Sequence, residues 1–115
     1  MKLGVFYRII INGEKWKYRF LSEKAADKVC GNITAHTLPR EKTIEFRASD
    51  FTFGVAVHEL FHAYCSYLYL TSSNVTNDNF EEIIAEMLED RILVLITQAR
   101  QMEAKFLESK SHDIT

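Results

Sequence analysis

The stretch Phe51-Thr52-Phe53-Gly54-Val55-Ala56-Val57-His58-Glu59-Leu60-Phe61-His62-Ala63-Tyr64-Cys65-Ser66-Tyr67-Leu68-Tyr69-Leu70 carries one carboxylate and two imidazoles in an otherwise largely apolar run. From Phe51 to Phe80 the charged residues are Glu59 and Asp78 alone. A run of about 20 such residues is long enough to cross a bilayer. Glu59 at its middle, between two histidines, and the lack of a basic flank argue against a membrane span, because an ionised group is costly in lipid. The stretch therefore reads as a helix, apolar nearly all round and buried in a soluble domain. Ser49-Asp50 predicts its N-cap, and it runs to about Leu70.

A helix buried on every side needs other elements around it, and the flanking sequence supplies them. Residues 3–11 and 15–20 flank Asn12-Gly13, a dipeptide suited to the left-handed angles of a tight hairpin turn. In the second arm Trp16, Tyr18 and Phe20 alternate with Lys15, Lys17 and Arg19, the period of a strand with one buried face. Ser22 predicts the cap of a short helix running to about Cys30, closed by Gly31. A second hairpin follows, from Ile33–Thr37 and Thr43–Ala48 joined through Leu38-Pro39-Arg40-Glu41. Its second arm turns Ile44, Phe46 and Ala48 inward and Thr43, Glu45 and Arg47 outward. Thr71–Asn79 is polar and turn-rich. From Phe80 to about Leu107 the pattern predicts a last helix, with Phe80, Ile84, Met87, Leu88, Leu95 and Ala99 on one side. At 1.5 Å per residue it would span about 40 Å, longer than a compact chain of this size is wide. It must bend, break near Gln98 or project, and a projecting end offers a surface for a homodimer.

The expected fold is α+β, one domain over residues 1–115. A small antiparallel sheet of two hairpins, with a short helix, packs on the buried helix and a long C-terminal helix. The 47% hydrophobic and 26% charged residues are an ordinary globular balance. One core can form, with little chain left for a deep cleft, so a site must lie near the surface or be completed by a partner. With a formal net charge of −2 and no basic stripe, nucleic-acid binding has no electrostatic support. Cys30 and Cys65 are too few for a disulfide framework and fit a reducing compartment. The five apolar residues before Arg8 are fewer than the roughly 7–15 of a secretory signal. These features set the expectation of a cytoplasmic protein with no membrane partner.

His58-Glu59-Leu60-Phe61-His62 puts two imidazoles one turn apart on one helical face, where both can reach a single tetrahedral ion. Glu59 lies one step round, able to reach a metal-held water without ligating the metal. Zinc lowers the pKa of such a water toward ~7, and a carboxylate can then take its proton. With 4 histidines and 11 glutamates in the chain, chance gives this pattern in about one such chain per hundred. The surroundings carry more weight than the pattern. Two histidines and a glutamate inside a buried helix each need a partner, and one metal satisfies all three. The alternative is a pair of core histidines bonded to backbone carbonyls. A catalytic zinc takes three protein ligands and leaves one position open. Glu82 and Glu86, four apart on the following helix, share a face; one can bind the metal and the other can orient a ligand histidine. The same acidic run also suits a solvated helix start.

The arrangement His58-Glu59-x-x-His62, 19 further residues, then Glu82-x-x-x-Glu86 resembles the gluzincin metallopeptidases, the thermolysin-like clan. The resemblance spans about residues 43–90 and is nearest to the minimal single-domain gluzincins, including the repressor-cleaving ImmA type. It implies His58, His62 and Glu82 as ligands of one zinc ion, Glu59 as general base and Glu86 as the support of a ligand histidine. It also implies that Thr43, Ile44, Glu45, Phe46 and Arg47 form a sheet-edge strand that pairs with an extended substrate. The family usually has aspartate where Glu86 stands, and a small residue where Phe61 precedes the second histidine.

The expected function is zinc-dependent hydrolysis of peptide bonds in a peptide or protein substrate. The alternative is an inactive metalloprotease-fold module that binds a partner protein, with zinc structural or absent. A metal-free α+β domain is the third reading. Tyr64, Tyr67, Tyr69, His36 and His112 are available to stabilise an oxyanion. Cys65, three residues after His62, reads as a small buried thiol.

Overall fold

A computed structural model describes the backbone of residues 3–71 and 77–113, and within these the side chains of all but 67–71, 77–81, 83, 86 and 109–113. The elements follow in the order β1 (Tyr7–Ile11), β2 (Glu14–Leu21), α1 (Glu23–Val29), β3 (Ala35–Leu38), β4 (Thr43–Arg47), α2 (Phe53–Thr71) and α3 (Asn77–Asp113). The architecture is α+β, as the patterning implies.

Asn12 (φ 53°) and Gly13 (φ 77°) both adopt the left-handed conformation that a two-residue hairpin turn requires. They set the register of β1 on β2, with Ile9 opposite Trp16 and Tyr7 opposite Tyr18. β3 and β4 form the second hairpin, Thr37 opposite Ile44. The two hairpins join through a parallel pairing of β2 with β4, so the sheet is mixed rather than wholly antiparallel, in the order β1-β2-β4-β3. α1 and β3 make the crossover that a parallel pair needs.

This order corrects one expectation. Thr43–Arg47 is not an edge: β4 is bonded on both sides, and all five of its residues are buried. The outward positions look solvent-facing in the sequence because they are polar, yet each finds cover. Arg47 reaches across to α1, where its Nη1 donates to Glu23 and Asp27 at 2.8 and 2.9 Å, and its Nη2 donates to the Gly31 carbonyl. The strand edges fall to β1 and to β3.

One face of the sheet is covered by α2 and α3. Ile9, Ile11, Trp16, Tyr18, Phe20, Ile44 and Phe46 meet Ala56, Leu60 and Ala63 of α2 and Leu95, Ala99, Met102 and Phe106 of α3. The rings of Phe20, Phe46, Phe51 and Phe106 pack with centroids 4.8 to 5.7 Å apart. On the other face Leu21, Ala26 and Cys30 make a smaller cluster under α1.

α2 starts later than Ser49-Asp50 predicts. Those residues form a short 3-10 turn, Ala48–Asp50, and Thr52 caps the helix: its hydroxyl accepts from the Val55 N–H at 3.1 Å. α3 runs unbroken through Gln98, which is a buried tie instead of a break. Its side chain accepts from the Tyr64 hydroxyl and donates to the Ile10 carbonyl, both at 2.6 Å. Thirty-seven residues of helix span about 55 Å. The longest extent of the molecule is 51 Å, and its radius of gyration of 15.0 Å exceeds the roughly 13 Å of a compact chain this long. The helix therefore projects. Among its expected inward residues, Met87, Leu95 and Ala99 are buried while Leu88 is 47% exposed; the side chain of Phe80 lies outside the described residues. No helix among the described residues is long and apolar enough to cross a membrane.

Candidate functional site

One helical turn separates His58 from His62, and their Nε2 atoms stand 3.1 Å apart. Both histidines are exposed, so α2 is not buried all round as its apolar run suggests, and only Glu59 of the three is buried. Two nitrogens bound to one tetrahedral zinc at ~2.0–2.1 Å would lie about 3.3 Å from each other. The separation of the pair is close to that of two ligands on one ion. Glu59, between them in sequence, is 7% exposed. Its Oε1 accepts from the Thr37 hydroxyl at 2.9 Å, and that hydroxyl also lies 3.1 Å from the Glu59 carbonyl. Its Oε2 lies 3.9 Å from His58 Nε2.

The three side chains border a trough between α2 and the free edge of β3. Two cavities meet there, of about 480 and 350 Å³, and Ala35, His58 and Glu59 line both. Thr34, Thr52 and Val55 extend the trough one way, Thr37, Pro39 and His62 the other. The strand running beside it is thus β3, Ala35–Leu38, in place of Thr43–Arg47.

Among the described residues, Glu82 does not join His58 and His62 in a group of donor atoms within 4.8 Å of one another. It is exposed, and at 100° per residue it sits about 140° round α3 from Met87 and from Leu95, which face the core. The sequence shows that Glu82 and Glu86 share a helix face, but not which way that face turns. The side chains of Glu86, Tyr67, Tyr69 and His112 lie outside the described residues. Tyr64 is a core residue whose hydroxyl is spent on Gln98. Cys65 is buried with its sulfur 3.7 Å from that of Met87, and burial pushes its thiol above the ordinary value.

Among the described residues, three metal-capable side chains converge elsewhere: the donor atoms of Cys30, His36 and Glu45 lie within 4.8 Å of one another. The carboxylate of that group is already satisfied. Glu45 Oε1 is 2.6 Å from His36 Nε2, and Oε2 accepts from Arg19 Nε at 2.6 Å, with Arg19 Nη2 also in contact. Burial pushes the Glu45 carboxyl up, but the hydrogen bonds and charges of His36 and Arg19 outweigh it and hold the group below its ordinary value. Burial, and after it the Glu45 charge, raises the Cys30 thiol above its ordinary value. The arrangement is an ion-pair network behind the edge strand, and His36 belongs to it.

Thr37 is the residue the sequence reading missed. The one hint was a polar side chain at an inward position of its strand, opposite Ile44. Comparison with protein-family models, with curated proteins and with solved structures yields no match.

Proposed function

We propose that this chain is a small zinc-dependent peptide hydrolase in which Glu59 is the general base. The observation that carries the reading is the imidazole pair, Nε2 atoms 3.1 Å apart, beside a buried carboxylate in a trough along a free strand edge. His58 and His62 would hold one zinc ion, and the third donor falls to the acidic first turns of α3, which contain Glu82 and Glu86. When bound, zinc supplies the Lewis acidity that peptide hydrolysis at neutral pH needs. Glu59 takes the proton of the attacking water on its Oε2 and passes it to the leaving amine. An extended peptide substrate adds to the outer edge of β3, where unpaired backbone groups serve as a template. The two free cysteines, Cys30 and Cys65, are buried and suit a cytoplasmic setting.

A second reading has an observation of its own. Among the described residues no carboxylate completes a three-donor group with His58 and His62, and a module that keeps the fold, binds a partner protein and does not turn over would need none. Glu59→Gln separates the two. For a hydrolase, zinc content measured by elemental analysis on untagged protein stays near one equivalent, while hydrolysis of fluorescein-labelled casein falls by roughly 10²–10⁴. Glu82→Gln and Glu86→Gln then report the third donor by which of them lowers zinc content. A chain without zinc after exposure to micromolar metal would sink the enzyme reading. A zinc-loaded chain inert on casein and on unfolded protein would favour the binding module.

A further inference from the structure

Glu59 is a long side chain with three rotatable bonds, and a general base must hold its accepting oxygen within hydrogen-bond reach of the reacting proton. Helix α2 fixes only the Cα of Glu59. What fixes the carboxylate comes from another element. Thr37 Oγ1 lies 2.9 Å from Glu59 Oε1 and 3.1 Å from the Glu59 carbonyl, the carboxylate oxygen being the nearer acceptor for its one proton, whereas Oε2 has no hydrogen bond among the described residues and lies 3.9 Å from His58 Nε2. One oxygen is therefore tethered and the other is presented beside the histidine pair.

The tether is itself well anchored. Thr37 is β-branched, so its side-chain rotation is restricted. Its strand is registered against β4 through Thr37 opposite Ile44 and Leu38 opposite Thr43. Directly before it, His36 points to the opposite face of the sheet and is held by Glu45, itself buried and gripped by Arg19. The edge strand is thus pinned from behind while Thr37 reaches forward. We infer that Thr37 is a positioning residue that locks Oε1 of Glu59 and so selects Oε2 as the proton acceptor. The inference rests on the hydrolase reading above.

The test uses the zinc-loaded full chain, with Thr37→Val to remove the hydroxyl at nearly constant shape and Thr37→Ser to retain it. Thr37→Val should lower kcat on fluorescein-labelled casein by roughly 10- to 100-fold, the cost of a misplaced reacting group. KM should change much less than kcat, since Thr37→Val keeps the β3 backbone that would pair with the substrate. Zinc affinity, read by competition with a chromophoric chelator, should not change. Thr37→Ser should come back to within about threefold of the parent rate. In the Glu59→Gln background Thr37→Val should have no further effect, because it acts through the group already removed. Circular dichroism and a melting curve accompany each variant, and Thr37→Ala replaces Thr37→Val if the valine does not fold. An unchanged kcat in folded Thr37→Val, a serine variant no better than valine, or an equal loss in the Glu59→Gln background would each overturn the assignment. If the parent chain itself holds no zinc or cleaves no casein, the hydrolase reading fails first and the inference falls with it. That outcome is visible before any substitution at Thr37.

Discussion

Glu45 is 3% exposed and stays ionised because His36 and Arg19 engage both of its oxygens. Those partners hold its folded-state carboxyl below the ordinary value, against the opposing effect of burial. A carboxyl lowered on folding contributes stability that is complete above its unfolded value, about 4.3, and is lost as pH falls through the folded value. Glu45→Gln should therefore reduce stability at pH 7 and also flatten the acid limb below about pH 4. Urea unfolding at pH 7, 5 and 3 measures both effects. Equal losses on acidification in parent and variant would mean that the pair carries no pH-dependent stability. The same residue explains why the site was only partly readable. Histidines four apart with a glutamate between them announce themselves in sequence, and the structure sets their rings 4.8 Å apart. Thr37 does not announce itself: its value comes from a contact with a residue 22 positions away. Glu45 is hidden for the same reason, since Arg19 lies 26 positions off.

At the level of elements, the strongest local signals were turns and alternation. Asn12-Gly13 and the Trp16, Tyr18, Phe20 alternation specify the first hairpin because they depend only on near neighbours. Which strand borders the trough was not local. Thr43, Glu45 and Arg47 have the polarity of a solvent face, and only the parallel pairing of β2 with β4 and the reach of Arg47 to α1 reveal them as interior. Helix starts are similarly ambiguous when several capping residues crowd together. Ser49, Asp50 and Thr52 all qualify by type. The hydroxyl of Thr52 is the one bonded to the Val55 N–H, whereas the hydroxyl of Ser49 is turned to Glu23 of α1. Thr52→Ala should cost about 1 kcal/mol of unfolding free energy and Thr52→Ser much less. Chemical denaturation of both variants checks this. A loss at Ser49→Ala with none at Thr52→Ala would move the start of α2 back to the earlier position. The expectation matters for function because the first turns of α2 bring Val55 and His58 to the trough.

Taken whole, the molecule is held together end to start. Phe106, near the far end of α3, packs its ring 5.3 Å from Phe20 of β2 and 4.8 Å from Phe51 ahead of α2, and it is 6% exposed. Gln98, further back on the same helix, donates to the Ile10 carbonyl of β1. These long-range ties let the middle of α3 close the core while its start carries the acidic residues that follow α2 in sequence. Met87, Leu95, Ala99, Met102 and Phe106 are buried along α3 and anchor it to the core. Leu107, one residue on, is 57% exposed. Phe106→Ala should therefore destabilise the fold by about 3–5 kcal/mol, a large share of what a domain of this size has to lose. Leu107→Ala should stay within about 0.5 kcal/mol. The two substitutions are adjacent in the chain and alike in hydrophobic type, so paired urea titrations read the orientation of the whole C-terminal helix. Similar effects at both positions would mean that the helix does not lie on the sheet with Phe106 inward.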